Sequence, residues 1–465
     1  SDLAFDPRRR LVGRFAQSPF DSRCGPFQTT WLGVEEMGKT VLRVLALSMF
    51  ACASLLTPIT SAASGNPMKL VGALNPWKDG QFSNVAADAD RHVAYLGSFD
   101  DQGVAVISTV DPSRPALTDR LSTRITAPDL TSDSADLDLV GRYLGVSHQP
   151  WSADGAFSGI SIYDTQADPL HPSLIRRVAL PGGIHTVQID PEAEAGRPYA
   201  YANAFEFGTE SVFVVNILTA AVVGTYQSPE PQGCFPSDED CQQFNSPHEG
   251  FLQRHPRSGR MLDYVSYWDS GLRIVDVTDP AHPVEVGSYD YPGQPGNCCA
   301  HYAAATPSGD WVYQEDEIGV GGTGGVHVLD THACDGTSYC TPVQVGFWHI
   351  NGHPVQAAAL NGQGSGSYHG VIQRFFSWDA HNVDVKGENT LLVANYTMGI
   401  RLIDTTDKAA PVETSFYLPN ANKNLACNQA CFFQGRETWG AYFDSNGRIE
   451  ASDFWLGFFI VQPPS

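Results

Sequence analysis

The chain has 465 residues and a formal net charge of −23, from 28 basic and 51 acidic side chains. So acidic a surface repels nucleic acid and anionic membranes, and we expect neither as a partner. About 400 residues follow the N-terminal leader described next, which is long for one β-sandwich.

Residues 37–63 are typical of a secretory signal peptide. Lys39 and Arg43 supply positive charge, residues 44–56 form an apolar core of 13 residues, and Ser61-Ala62-Ala63 offers a small-residue cleavage region. An apolar core of this length is too short to span a bilayer as an ordinary helix. We therefore expect a secreted or periplasmic protein with no membrane span in the mature chain.

The signal divides the chain into three parts. Residues 1–36 precede its methionine, have no clear pattern, and are interpreted as a non-native upstream segment. Residues 64–465 form the predicted folded domain, with 21 Lys and Arg against 46 Asp and Glu, a net charge of −25. The sequence contains no sign of an oligomer, so a monomer is expected.

The ten residues Gly271 to Pro280, GLRIVDVTDP, recur along this domain in related form. The related copies start at residues 103, 159, 211, 325, 399 and 457. Neighbouring copies are separated by 52 to 74 residues. A repeat of this length, built of short β runs, predicts blades around an axis, because one such sheet cannot bury both faces alone.

The best preserved unit, residues 381–418, resolves into four strands at 381–385, 390–396, 399–407 and 411–418. Applied to every copy, this pattern predicts an all-β chain, a seven-bladed β-propeller of four-stranded blades. The last blade lacks a fourth strand of its own, and Met68 to Leu74 resembles one. We therefore expect the ring to be closed by this N-terminal strand pairing with the C-terminal blade, which leaves no exposed sheet edge at the seam.

Three motifs carry a family resemblance: GLRIVDVTDP, DAHNVDVKG at 379–387 and VANYTMGIRLID at 393–404. With them, residues 68–463 resemble the LVIVD-repeat family, in particular the secreted β-propellers of the choice-of-anchor B type. The resemblance implies a seven-bladed exported propeller. It implies no common activity.

Eight cysteines of the mature domain lie in four close pairs, all in predicted loops. The pairs are Cys234/Cys241, Cys298/Cys299, Cys334/Cys340 and Cys427/Cys431. In an exported chain this spacing favours local disulfides, and zinc binding is the alternative, although no CxxC pair occurs. The vicinal pair stays open between a strained disulfide, two separate crosslinks, and redox or metal chemistry.

Aligning the predicted first strands brings histidine to the same position in four consecutive blades. The seven residues at this position are Ser83, Ala135, His185, His248, His301, His381 and Trp439. First strands run along the central channel, so equivalent positions form a ring at one mouth. The four imidazoles predict a divalent transition metal: iron, copper or zinc. The alternatives are a structural ring that bonds neighbouring carbonyls, and the floor of an organic-ligand site without metal.

The loops between second and third strands return to the same mouth and supply polar residues. The candidates for proton transfer are Glu315, Asp316, Glu317 and Tyr396. Three adjacent acids repel each other unless a cation or hydrogen-bond donors lie near. The other polar residues of these loops are Asp100, Asp101, His148, Glu206, Asp269 and Asp453, each of which also fits an ordinary solvated rim.

Two functions are consistent with these patterns. One is a metal-dependent oxidase, dioxygenase or lyase acting on a small-molecule substrate at the channel mouth. The other is a non-catalytic extracellular propeller that binds a protein or glycan through its top-face loops, which the acidic rim and the long insertion at 348–377 favour.

Overall fold

The computed structural model describes much of the predicted domain. The described residues are 66–77, 80–99, 103–121, 136–149, 157–205, 211–229, 246–268, 270–290, 300–317, 324–350, 379–419 and 436–464. The predicted leader and upstream segment lie outside these ranges. So do Ala135 and every cysteine pair except Cys334/Cys340.

Regular structure in the described residues is entirely β. The strands are, in chain order, β1 (Asn66–Pro67), β2 (Lys69–Leu74), β3 (Phe82–Asp88), β4 (Val93–Ser98), β5 (Val104–Ser108), β6 (Ala116–Leu121), β7 (Leu137–Val140), β8 (Tyr143–His148), β9 (Gly159–Asp164), β10 (Ser173–Ala179), β11 (Ile184–Ile189), β12 (Tyr199–Ala204), β13 (Val212–Asn216) and β14 (Ala221–Tyr226). They continue with β15 (Glu249–Arg254), β16 (Met261–Ser266), β17 (Leu272–Asp276), β18 (Val284–Tyr289), β19 (Ala300–Ala305), β20 (Trp311–Asp316), β21 (Val326–Asp330), β22 (Val343–Trp348), β23 (Ala380–Lys386), β24 (Thr390–Asn395), β25 (Gly399–Asp404), β26 (Val412–Tyr417), β27 (Thr438–Phe443), β28 (Ile449–Asp453) and β29 (Gly457–Gln462). Within the described ranges we find no helix with the length and apolar character of a membrane span.

These strands form seven antiparallel blades of four strands, which confirms the predicted seven-bladed β-propeller. Blades 1 to 6 take four consecutive strands each, starting from β3, and blade 7 consists of β27, β28, β29 and β2. The pairing of β2 with β29 sets Leu70 opposite Val461 and Ala73 opposite Phe459, so the N-terminal strand closes the ring as predicted. The short β1 was not predicted, and it pairs in parallel with the outer strand of blade 6.

Apolar contacts between neighbouring blades hold the ring together. First strands of adjacent blades contact each other in turn, and β27 contacts β3. The buried apolar side chains fall into seven clusters, each shared by two adjacent blades, and one of them joins Phe82 of blade 1 to Phe458 and Ile460 of blade 7. The core is therefore distributed around the channel, and the first strands face the axis.

The GLRIVDVTDP repeat builds the third strand and the turn that docks on the preceding blade. A Cβ atom on Gly224, in the fourth strand of blade 3, would lie 2.2 Å from the carbonyl oxygen of Pro280 in blade 4. One on Gly72 of blade 7 would lie 2.1 Å from the carbonyl oxygen of Pro112 in blade 1. The Asp-Pro turn of the repeat thus packs against a strand position that has no room for a side chain.

Blade 5 uses a disulfide loop at this place. Cys334 and Cys340 are at bonding distance, with Cα atoms 5.3 Å apart, as the local pairing predicts. Cys340 lies beside the backbone of Gly287 in the fourth strand of blade 4. The disulfide therefore shapes the loop that takes the position of the Asp-Pro turn.

Replacing Gly224 with alanine is expected to lower the free energy of unfolding by about 1–3 kcal/mol, because the methyl group overlaps a backbone oxygen that cannot rotate away. The shift in the urea unfolding midpoint measures this effect. Val222→Ala in the same strand is the control, since that side chain is about half exposed and should change stability by less than about 0.5 kcal/mol. Equal midpoints for the two variants would show that the turn does not pack tightly against β14.

Candidate metal centre

The four predicted histidines lie side by side at one mouth of the channel. The ring centroids are 4.3 Å apart for His185 and His248, 4.1 Å for His248 and His301, and 4.1 Å for His301 and His381. Trp439 continues the row, with its ring centroid 4.1 Å from that of His381. All five side chains are buried. The register inferred from the repeat therefore brings these residues into contact.

Irregular pairing in the first strands sets the direction of three of these imidazoles. His185, His301 and His381 each occupy a bulge, where the register with the second strand shifts by one residue. A bulge adds a residue to one strand and re-aims its side chain. His248 differs: it lies just before β15, and its N–H donates to the carbonyl of Ser266 at 2.8 Å.

Glu317 joins the two central histidines. Its Oε2 lies 4.0 Å from Nε2 of His248 and 4.0 Å from Nε2 of His301. One potential ligand atom from each of these three residues falls within 4.8 Å of the other two, and this is the one such group of three or more among the described histidine, cysteine and acidic residues. A zinc or iron ion about 2.1 Å from each atom would require the side chains to move together by roughly half an ångström.

Burial keeps the imidazoles neutral. It lowers the pKa of His185 to about 3 and that of His381 to about 3. Burial, followed by the neighbouring imidazoles, holds the pKa values of His248 and His301 well below the ordinary value. Neutral imidazole is the form that binds transition metals.

Hydrogen bonds donated by Nδ1 orient two of the rings. Nδ1–H of His381 donates to the carbonyl of Trp439 at 2.8 Å, and Nδ1–H of His185 donates to the side-chain oxygen of Gln149. The lone pair of each ring then lies on Nε2. Nε2 of His381 is buried and has no hydrogen-bond partner within the described residues. The carbonyl contact agrees with the structural-ring alternative for Nδ1, and the lone pair on Nε2 of His381 remains available for a metal.

Tyr396 holds the Glu317 carboxylate. Its hydroxyl donates a short hydrogen bond to Oε1, which leaves Oε2 directed at the imidazoles. Burial raises the pKa of Glu317 to about 7, the Tyr396 hydrogen bond acts in the opposite direction, and Asp379 raises it further. A nearby cation would favour the ionised form of this carboxylate.

The three adjacent acids of blade 5 have separate surroundings. Oε2 of Glu315 lies 3.0 Å from Nδ1 of His301, but the contact is not aligned as a hydrogen bond. Burial, then the Glu317 charge, raises the pKa of Glu315 well above its usual range. With His301 neutral, this is a polar contact rather than an ion pair. Asp316 faces away from the row and lies 2.9 Å from Nε2 of His327 inside the blade.

The remaining predicted rim residues fall into two groups. Nε2 of His148 lies within hydrogen-bond distance of the Ser161 hydroxyl, at 2.7 Å, and its ring packs against Phe157. The carboxyl group of Asp453 accepts hydrogen bonds from three backbone N–H groups of blade 7. Asp100, Asp101, Glu206 and Asp269 lie outside the described residues.

Apart from Tyr396, the aromatic side chains that follow the second strands at the mouth were not predicted from the sequence. Phe99, Phe205, Tyr396 and Phe454 each come directly after the second strand of their blade, and Glu317 takes this position in blade 5. Phe205 stacks on His185 with ring centroids 5.0 Å apart, and Trp268 stacks on His248 at 4.9 Å. Counting one residue past each second strand would have found most of this set.

Comparisons with known proteins agree with the fold. Residues 263–291 match the LVIVD repeat. This segment contains β17 and the GLRIVDVTDP motif, and it is a small part of the chain. No curated protein sequence matches the chain significantly.

Solved structures show the same fold at low sequence identity. The chain is similar to a structure described as "Crystal structure of RRP9 WD40 repeats", with a TM-score of 0.51, 9% identity, and coverage of 86% of this chain and 98% of that one. "Structure of U3-55K" gives a TM-score of 0.51 and 9% identity, with 85% and 98% covered. A chain of "Crystal Structure of Mitotic Checkpoint Complex" gives 0.51 and 9%, with 95% and 99% covered. These similarities establish the propeller fold alone.

Proposed function

We propose that this protein is an exported metal-dependent enzyme, an oxidase, dioxygenase or lyase, that acts on a small organic molecule at the channel mouth. The observation that carries the proposal is the meeting of His248, His301 and Glu317, whose potential ligand atoms lie within 4.8 Å of one another. His185 and His381 flank this group and complete the proposed set of metal-binding histidines. Export rests on the signal-like pattern of residues 37–63.

The donor set favours a transition metal over calcium or magnesium. Two neutral imidazoles and one carboxylate are typical of mononuclear iron(II) oxygenase sites and of catalytic zinc sites, both of which keep positions open for substrate or water. Calcium and magnesium prefer oxygen ligands. Copper is also compatible with four histidines, and we retain iron, copper or zinc as the proposed cofactor.

The surrounding residues have distinct roles in this proposal. Tyr396 keeps Oε2 of Glu317 directed at the metal position, and the carboxyl group of Glu315 lies beside Nδ1 of His301. A bound divalent ion would supply Lewis acidity or activate a water molecule. Tyr396, at the edge of the row, is the group best placed to exchange a proton with a substrate.

The aromatic residues favour an organic substrate. Phe99, Phe205, Trp268 and Phe454 are partly exposed and lie around the histidine row. Flat apolar faces beside a small number of polar groups are common in small-molecule sites. The same aromatic frame could receive a glycan or protein, so the non-catalytic function remains the second candidate.

Metal content tests the proposal directly. Protein exported without a histidine tag should contain about one transition-metal ion per chain. A chelator should remove this ion and lower the melting temperature, and returning iron(II), copper(II) or zinc should restore the melting temperature. The reconstituted protein should then convert members of a library of small aromatic compounds, and the chelated protein should not. Metal-free protein whose melting temperature ignores all three ions would refute the metal site. A metal-loaded protein that binds glycans or proteins without turnover would favour the second candidate.

A further inference from the structure

The central channel contains a second compartment on the far side of the histidine row. A cavity of about 290 Å³ is lined by first-strand residues of blades 1 to 5 and 7. Its lining begins one residue after the histidine position, at Asn84, Asp136, Glu249 and Tyr302, and none of the four histidines belongs to it. The cavity is therefore separate from the candidate metal centre.

Acidic side chains dominate the polar part of the described cavity lining. The described lining contains five carboxyl groups and no lysine or arginine. They belong to Asp136, Asp138, Glu249, Asp444 and Glu450. Arg448, outside the lining, pairs with Asp444 at 2.9 Å, and within the described part of the chain the other four have no such ion pair. Burying this many acids together is unfavourable unless they are protonated or neutralised by a cation.

Two lining residues have polar atoms that nothing in the described structure satisfies. Glu450 is 2% exposed, and neither carboxyl oxygen has a hydrogen-bond partner. Nε2 of Gln188, 8% exposed, also lacks one. Buried polar atoms without partners are uncommon in folded proteins, and a bound molecule is one way to satisfy them.

Glu249 keeps capacity for a ligand, whereas the aspartates are largely occupied. Asp136 accepts hydrogen bonds from Asn84 at 2.7 Å and from the N–H of Val187 at 3.1 Å, and Asp138 accepts from the N–H of Ile189 at 2.6 Å. These bonds fasten neighbouring first strands. Glu249 has only the long contacts of 3.2 and 3.4 Å from the Asn382 amide.

The arrangement fits an organic cation better than a metal ion. Apart from the histidine–glutamate group, no three acidic, histidine or cysteine ligand atoms of the described residues come within 4.8 Å of one another. A bare ion needs several oxygens at about 2.3–2.6 Å from one point. The lining also offers apolar side chains, including Leu137, Ile189 and Leu252, against which a hydrocarbon chain would pack. Tyr302 and Tyr442 add aromatic faces suited to ammonium groups.

We propose that this cavity binds a short alkyldiammonium compound, with one ammonium nitrogen beside Glu249, the other beside Glu450, and its carbon chain against the apolar wall. A volume of about 290 Å³ lies at the lower end of the range for small-molecule sites and excludes large ligands. Burial also raises the pKa of Asp136 to about 7 and that of Glu450 to about 8, as expected for acids that lack a counter-charge.

Calorimetry with 1,4-diaminobutane tests this proposal, and 1,4-butanediol serves as the neutral isostere. Wild-type protein should bind about one diamine per chain and show no measurable binding of the diol. Glu249→Gln and Glu450→Gln should each weaken diamine binding at least tenfold. Glu194→Gln, which removes a carboxylate from an exposed turn, is the matched control and should bind as wild type. Circular dichroism verifies that all variants are folded.

Three binding results would overturn the proposal. They are the absence of diamine binding to wild type, equal binding of the diol, and calcium binding that is lost in the same two variants, which would make the cavity a metal site. If the variants fail to fold, a crystal structure of the wild-type protein with the diamine replaces them as the test. Both diamine nitrogens lying outside the cavity would then overturn the proposal. The titration is repeated on chelated protein, so the result does not depend on the metal centre.

Discussion

Replacing His301 with alanine is expected to reduce bound transition metal from about one ion per chain to nearly none, a loss of affinity greater than about 100-fold. His301 is central in the row: it faces Glu317 through Nε2, and both neighbouring histidines contact its ring. Glu317→Gln should have a similar effect, because the amide removes the charged ligand while preserving size. Equilibrium dialysis followed by elemental analysis measures both.

Substitutions at the flanking histidines distinguish between two possible sets of metal ligands. If the metal is held mainly by His248, His301 and Glu317, then His185→Ala and His381→Ala should weaken binding by only about 10- to 100-fold, as for residues that position ligands. Equal losses for all four histidines would instead support an even four-histidine site. His255→Ala is the control, because it removes a fully buried imidazole at a distant turn. Unchanged metal content in His301→Ala would contradict the centre altogether.

Deleting residues 66–76 is expected to destabilise the entire propeller, by on the order of 5 kcal/mol or more. The deletion removes β2 from blade 7 and exposes the backbone edge of β29. It also uncovers the apolar cluster between blades 7 and 1, which includes Phe458 and Ile460. Differential scanning calorimetry should show a melting temperature lower by more than about 10 °C, together with a tendency to aggregate through the open edge.

A peptide of residues 66–76 added in trans provides the internal test of this result. It should bind the truncated protein and restore part of the lost stability, because the vacant edge of β29 can accept a strand. A peptide with the same composition in scrambled order is the control. If the truncated protein melted like the full chain, β2 would not be needed to close the ring.

The repeat made the fold and the histidine row predictable. The period of the short β runs locates the third strand of each blade, and equivalent positions in the first strands must then face the same axis. The third strand predicted from residue 271 is β17, and the fourth strand predicted from residue 68 is β2. The four histidines follow because each begins the predicted first strand of its blade, 18 to 26 residues before the third-strand repeat, so the strand order alone places these distant residues at equivalent positions.

The features that the sequence did not predict arise where the chain departs from the repeat. Three first strands contain a bulge at the histidine, and alternation alone does not indicate where such a side chain points. The acids of blade 5 form one cluster in the sequence, although strand alternation separates Glu315 and Glu317 from Asp316. The cavity was not predictable, because Asp136 precedes the first strand of blade 2 and Glu450 lies in the second strand of blade 7. These are different strand positions, and only the closed ring brings them together.

The bulges have a consequence for how such a site changes over time. An extra residue in a strand has no partner opposite it in the ladder, so its identity is released from the pairing that stabilises the blade. Replacing histidine at position 185, 301 or 381, or tryptophan in the equivalent bulge of β27, is therefore expected to leave the strand ladder of each blade in place. The mouth of this propeller combines a constant backbone frame with side chains outside the ladder, so single substitutions can alter its chemistry without altering the pairing of the strands.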